Sequence, residues 1–399
     1  DELGDSSLTQ RPRSQRTCDP LPSHVAARLR IQLKPHSNSF RSMSHSLPDP
    51  TESPSGNTLE PLRSVHTSNL PEILEHFGIS VMVTTYQAGR LVMLRSDNGV
   101  LNTHFRSFDK PRGLAIADNR LAVGGATSIW EFHNLPAVCN KLDQAADLPA
   151  PKHDACFLPR TTHWTGDIQI HEMCWVGSGR DAELWFVNTL FSCLCRRSDT
   201  YNFAPVWRPQ FVTQYVPRDC CHLNGLGLRD GAARYVTALG ETDRPGGWRD
   251  NKKDGGVLID IQSGDTIVGG LSMPHSPRWY RDRLWLLESG RGTFGYVDPT
   301  QGIYHPLVTL PGFTRGLSFI GPLAFVGLSQ VRESAVFGGV PIAERDLQER
   351  TCGIWVINID TGESVGFVKF EDAVQEIFAV EVLPARYPEL VNEDLSLIH

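Results

Sequence analysis

The sequence contains no C-x-x-C pair, so a structural zinc ribbon has no ligands to build on. No apolar run approaches the ~18 residues of a membrane-spanning helix, and no hydrophobic signal region opens the chain. There is no N-x-[ST] sequon either. G-x-S-x-G, P-loop and H-E-x-x-H strings are all absent, which removes the anchors of an α/β-hydrolase, of a P-loop nucleotide site and of a zincin, and no nucleotide cofactor is expected. Methionine is scarce, at 5 against 18 Phe and 9 Trp, which argues against a helical bundle. Positive charge is also in deficit: 38 Lys plus Arg face 45 Asp plus Glu, a net charge of −7. An acidic chain lacks the basic surface that nucleic acid or an anionic membrane requires. These absences set a reduced, cytoplasmic setting as the expectation.

What is present is turn chemistry. The 399 residues include 35 Gly and 27 Pro, too many for a helical protein and too few for low complexity. The nine cysteines are an odd number and lack the density of a disulfide scaffold. Cys193/Cys195 and Cys220/Cys221 read as buried thiols at strand positions.

Residues 1–60 are rich in Ser, Pro, Arg and His and nearly free of aromatics, so they cannot bury enough apolar surface to offset ordering entropy. A disordered N-terminal arm is expected there. Met43 opens the segment MSHSLPDPTESPSGN and is expected as the natural start; peptides from 1–42 in the native protein would overturn that. A basic interaction arm carrying Arg11, Arg13, Arg16, Arg28, Arg30, Lys34 and Arg41 is the alternative. The domain is expected over 61–388, with a tail over 389–399.

From Ile79 onward, short apolar runs recur in one layout. Pro111–Leu114 leads to Leu121–Gly124 and then Ile129–Phe132; Asn224–Leu226 leads to Tyr235–Ala238 and Gly256–Asp260. His275–Arg278 leads to Leu284–Leu287 and Phe294–Asp298, and Arg315–Ser318 leads to Leu323–Val326 and Ile354–Ile357. Third runs close in Asp-to-Gly turns: Asp260 to Gly264, Asp298 to Gly302, Asp360 to Gly362. Four short antiparallel strands per unit, repeated, predict an all-β fold, a single β-propeller. First-strand anchors at 112, 171, 224, 275, 315 and 376 give six blades, with seven as the alternative. Strands near 79–95 are expected to close the ring against C-terminal strands, removing an exposed edge. NLPEILEHFG reads as a short rim helix with Asn69 as cap and Gly78 as stop.

First strands line a propeller's channel, so the anchors predict a ring at one mouth: Arg112, His171, Asn224, His275, Arg315 and Glu376. Strand alternation adds His222 to the face of Asn224. His171, His222 and His275 are thus candidate ligands for a transition metal, iron or copper ahead of zinc. Glu172 and Glu376 are candidates for acid/base work or for orienting an imidazole. Arg112 and Arg315 suit a ligand carboxylate or phosphate. Long loops at 241–255 and about 330–352 fall on the same face, where Trp248 and, from the neighbouring strand, Arg278 are further ligand-binding candidates.

The strings CHLNGLGL, RPGGWRDNKKDGG, PHSPRWYRDRLWLLESG and TRGLSFIGPLAFVGLS resemble a family of conserved hypothetical bacterial proteins, a domain of unknown function with a propeller-type repeat. The resemblance spans about 65–385 and implies a propeller that occurs alone or beside other modules; it carries over no activity and no catalytic residue. Two functional classes therefore stand open. One is a metal-dependent oxidoreductase or hydroxylase on the three histidines. The other is a non-catalytic propeller binding a peptide or an anionic small molecule. A calcium-dependent lactonase-type propeller lacks its oxygen-rich ligand set here.

Overall fold

Six antiparallel sheets of short strands stand around a common axis in the computed structural model, which describes residues 62–391 apart from 147, 149 and 332–337. The expected arm over 1–60, Met43 within it, and tail residues 392–399 lie outside the described residues. Blade one joins distant parts of the chain: Ala379–Leu383 is innermost, followed outward by Ser80–Thr85, Arg90–Asp97 and Val100–Ser107. Blade two runs outward through Leu114–Ala117, Arg120–Gly124, Ser128–Asn134 and Ala155–Trp164. The inner strands of blades three to six are Ile170–Val176, Leu223–Arg229, Pro274–Tyr280 and Phe313–Ile320. Each inner strand lies against the next, and the sixth lies against the first. The ring is closed at six.

Every sheet is covered on both faces by its neighbours, which explains why the strands read as continuous apolar runs instead of alternating ones. Leu284, Trp285, Leu286 and Leu287 are all buried, although they are consecutive in one strand. The core is accordingly six apolar wedges, one between each pair of blades. The wedge between blades six and one also takes Leu70 and Leu74 of the helix Leu70–Phe77. That helix stops at Gly78, whose φ of 64° is the left-handed conformation expected of a C-terminal glycine. Asn69 does not cap it. Its Nδ2 donates to Val365 O at 2.7 Å and fastens the helix to blade six instead.

The blade turns follow one rule with a correction to one unit. Gly264 N donates to Asp260 O and Gly302 N to Asp298 O, while each Asp Oδ1 accepts two backbone N–H groups inside the turn. In the third case the residue four before the glycine is Asn358, not Asp360: its Oδ1 accepts Asp360 N and Thr361 N, and its carbonyl accepts Gly362 N. An amide oxygen serves the turn as well as a carboxylate does.

Two extra strands protect outer edges. Ser64–His66 pairs antiparallel with Ser364–Phe370 on blade six, and Pro388–Leu390 pairs in parallel with Ala155–Phe157 on blade two. Among the described residues no helix is long and apolar enough to cross a membrane. The eight described cysteines are free thiols, seven of them buried.

Candidate functional site

Four inner strands are entered through the same backbone kink. Lys110, Gln169, His222 and Met273 have φ of 46°, 53°, 50° and 48°, and each stands two residues ahead of an anchor: Arg112, His171, Asn224 and His275. A left-handed non-glycine residue costs about 1–2 kcal/mol, and such strain gathers where a site must be shaped. In blades three and five the kink turns a carbonyl back on the anchor. His171 Nδ1 donates to Gln169 O at 2.9 Å, and His275 Nδ1 donates to Met273 O at 2.9 Å. Equivalent hydroxyls complete the hold: Thr189 Oγ1 lies 2.7 Å from His171 Nδ1, and Ser289 Oγ lies 2.9 Å from His275 Nδ1. A carbonyl only accepts, so in both rings the proton sits on Nδ1 and Nε2 is the free acceptor. Burial, and after it the charge of Arg315, holds both imidazoles well below the usual histidine range, so both are neutral.

Arg315 is the least satisfied charge in the ring. Its guanidinium lies over the Phe378 ring, 3.4 Å from the centroid, and makes no hydrogen bond or ion pair among the described residues. Burial lowers its pKa to about 9 and Arg112 adds to the fall, while Glu376 opposes it. Arg112 is 8 % exposed and lies over Tyr86, 4.8 Å from the ring centroid. Among the described residues it forms one ion pair, with Asp167, which is 3.8 Å away and largely exposed. Arg112 Nη1 and Arg315 Nη2 are both buried and lack a hydrogen-bond partner among the described residues.

His171 also meets His222, with ring centroids 5.0 Å apart, and Phe378, again at 5.0 Å. His222 is held from behind by Asp219, at 3.0 and 3.1 Å from Nδ1, and Asp219 also accepts Trp248 Nε1 at 3.0 Å. Trp248 was expected to cap a ligand. It is 2 % exposed and packs with Leu239, Met273, Phe313, Val331, Val340 and Ile342, so the two long loops share a small core that walls the mouth. Asn224 departs from expectation too. The positive φ of His222 breaks strand alternation, and Asn224 turns between blades four and five, donating to Pro274 O and accepting from Thr237 Oγ1.

Deeper in, the channel is crossed by charge. Arg278 of blade five bonds Glu172 of blade three at 3.2 Å and lies 3.6 Å from Glu381 of blade one. Non-adjacent blades can touch only across the axis, so these side chains plug the channel. Arg278 therefore lies in the plug and not at the mouth. Glu172, expected as an acid or base, accepts Leu226 N at 2.7 Å besides Arg278. Burial and the nearby Glu172 push Glu381 up to about 7 against the pull of Arg278. Beyond the plug a cavity of about 210 Å³ opens between Trp175, Leu228 and Trp279.

The three histidines expected to hold iron or copper are not gathered into one group among the described residues. Among the described residues no three His, Cys, Asp or Glu side chains come together as a metal-holding group. Two of the rings turn Nδ1 to backbone carbonyls and the third turns it to Asp219. The sequence reading missed Phe378, Tyr86, Asp219 and Glu381. Phe378 stands two residues after the anchor Glu376, and Asp219 three residues ahead of His222, but nothing local marks either as facing the axis.

Residues 68–391 match the family described as Domain of unknown function (DUF4915). The chain belongs to this family. The family's extent coincides with the closed ring and the rim helix that precedes it. No curated protein matches the sequence. Among solved structures, a chain in the crystal structure of a nidogen/laminin complex is similar with a TM-score of 0.50 at 10 % identity, covering 77 % of this chain and 100 % of that one. A protein of unknown function from Bacteroides caccae gives 0.49 at 7 % identity, covering 77 % and 99 %. At such identities likeness speaks of the fold alone.

Proposed function

We propose that this propeller is a binding module whose channel mouth takes a small anionic molecule between Arg112 and Arg315. One observation carries the reading: two buried guanidinium nitrogens, Arg112 Nη1 and Arg315 Nη2, have no hydrogen-bond partner among the described residues. A buried charged donor without an acceptor is unfavourable by several kcal/mol at the upper end, and a carboxylate or phosphate supplies both the acceptor and the countercharge. The ring faces of Phe378 and Tyr86, over which Arg315 and Arg112 lie, supply neither a lone pair for those nitrogens nor a full countercharge. The plug of Glu172, Arg278 and Glu381 makes the chamber blind, so its ligand enters and leaves by the mouth.

Thermal unfolding of the full chain in rising concentrations of small carboxylates and of phosphate, with chloride at matched ionic strength as control, tests this. A ligand at one hundred times its Kd stabilises by ~2.7 kcal/mol. The expected result is anion-dependent stabilisation in the native protein that disappears in Arg315→Met and in Arg112→Met. Equal responses to chloride and to the test anions, or an undiminished response in both variants, would overturn the proposal.

A further inference from the structure

The acceptors of the mouth are as fixed as its donors. His171 Nε2 and His275 Nε2 have no hydrogen-bond partner among the described residues, while their Nδ1 atoms are tied to Gln169 O and Met273 O. His171 and Arg315 both lie against the Phe378 ring, 5.0 and 3.4 Å from its centroid, and His275 follows the same kink on its own inner strand as His171 does, so both rings border the mouth with the guanidiniums. A ligand that filled the chamber with an anionic group and a plain hydrocarbon body would bury both lone pairs unmatched. A ligand with donors beside its anionic group would meet them.

We infer that the preferred ligand is a hydroxylated anion, a hydroxy acid or a sugar-type phosphate, whose hydroxyls donate to His171 Nε2 and His275 Nε2. This rests on the anion reading above and adds the neutral half of the ligand. A hydroxyl suits these acceptors better than an ammonium does. The acceptors are uncharged, and an ammonium there would stand near Arg112 and Arg315 as a like charge. The carboxylates around the chamber do not offset this. Asp219 is occupied by His222 and Trp248, and Glu172 by Arg278 and Leu226 N. Asp167 is mostly in solvent, and Glu376 is the countercharge that acts on Arg315. His171 and His275 are therefore positioning and specificity residues of the binding site. Each hydroxyl lost leaves one buried acceptor unsatisfied, which is worth roughly tenfold in affinity.

The test is calorimetric titration of the full chain with lactate, propionate and alanine, and with glycerol 3-phosphate against propyl phosphate. Lactate is expected to bind at least ~10-fold more tightly than propionate and than alanine. The two phosphates separate the carboxylate source from the phosphate source by which arm shows the larger preference. In His171→Phe combined with His275→Phe, the preference for lactate over propionate collapses; His171→Gln, which retains an acceptor, restores part of it. Circular dichroism melts of each variant check that the ring is intact. Equal binding of lactate and propionate, or tighter binding of alanine, would overturn this inference and leave the anion reading standing. No binding by any of the five probes would remove both.

Discussion

A deep guanidinium nitrogen with no hydrogen-bond partner among the described residues, such as Arg315 Nη2, is a strain on the fold that a bound anion would relieve. Replacing Arg315 by Met, which fills the same space over Phe378, is expected to stabilise the empty protein by ~1–3 kcal/mol while abolishing its response to anions. Chemical denaturation with and without ligand checks both halves, and a destabilised Arg315→Met would mean that the charge is satisfied in the empty state. The same residue sets a pH limit. Because burial lowers its pKa to about 9, anion affinity is expected to fall as pH rises through that value, well before an ordinary arginine would deprotonate. At the opposite extreme stands Glu389. Burial alone would raise its carboxyl, but His104 and Arg106 outweigh that and hold it at about 2. A depressed carboxylate contributes stability that is complete above its unfolded pKa near 4.5 and is lost as pH falls toward 2. Glu389→Gln is expected to flatten the acid limb of a denaturation profile in that window and to leave the neutral plateau lower.

At the scale of elements, the mouth is shaped by loops that pack and strands that kink. Truncating Trp248 to Ala removes the centre of the loop core and the hydrogen bond to Asp219, an expected loss of ~3–5 kcal/mol with His222 freed from its place. A loss confined to ligand binding, with an unchanged melt, would show that the loops are not packed as described. Gly316 is a tight crossing of neighbouring inner strands. Its φ is +83° and a Cβ there would stand 2.7 Å from Val380 N, so Gly316→Ala is expected to weaken the joint between blades six and one. The repeat made the strands legible in sequence, and with them the ring positions of Arg112, His171, His275 and Arg315. The kinks were not legible. Left-handed backbone usually announces itself through Gly or Asn, whereas here it falls on Lys110, Gln169, His222 and Met273, whose side chains give no sign of it. That is why strand alternation misplaced Asn224. The plug escaped for a different reason: Glu172, Arg278 and Glu381 are joined only by closure of the ring, and no local pattern encodes a contact across an axis.

The whole molecule depends on one pairing. Ser80–Thr85 lies between Arg90–Asp97 and Ala379–Leu383, in register from Ser80 with Leu383 to Thr84 with Ala379, and all six of its residues are buried. Closure at blade one could be anticipated because apolar runs near 79–95 had no inner strand of their own in the repeat. A chain ending before 376 is expected to lose cooperative unfolding and to elute as larger species, since both Ser80–Thr85 and the wedge between blades six and one would be open. Adding a peptide that covers 376–391 is expected to restore a single melting transition.

The same pairing has a consequence in time. A ribosome delivers residues 80–107 well before residues 379–383, with five blades' worth of chain between them. Through that interval the strand Ser80–Thr85, apolar and destined to be wholly enclosed, has one unmatched side. A copy further along the same message carries the strand Ala379–Leu383 that the copy behind it still awaits. Speed of synthesis and spacing of ribosomes thus bear on the yield of single rings over exchanged pairs.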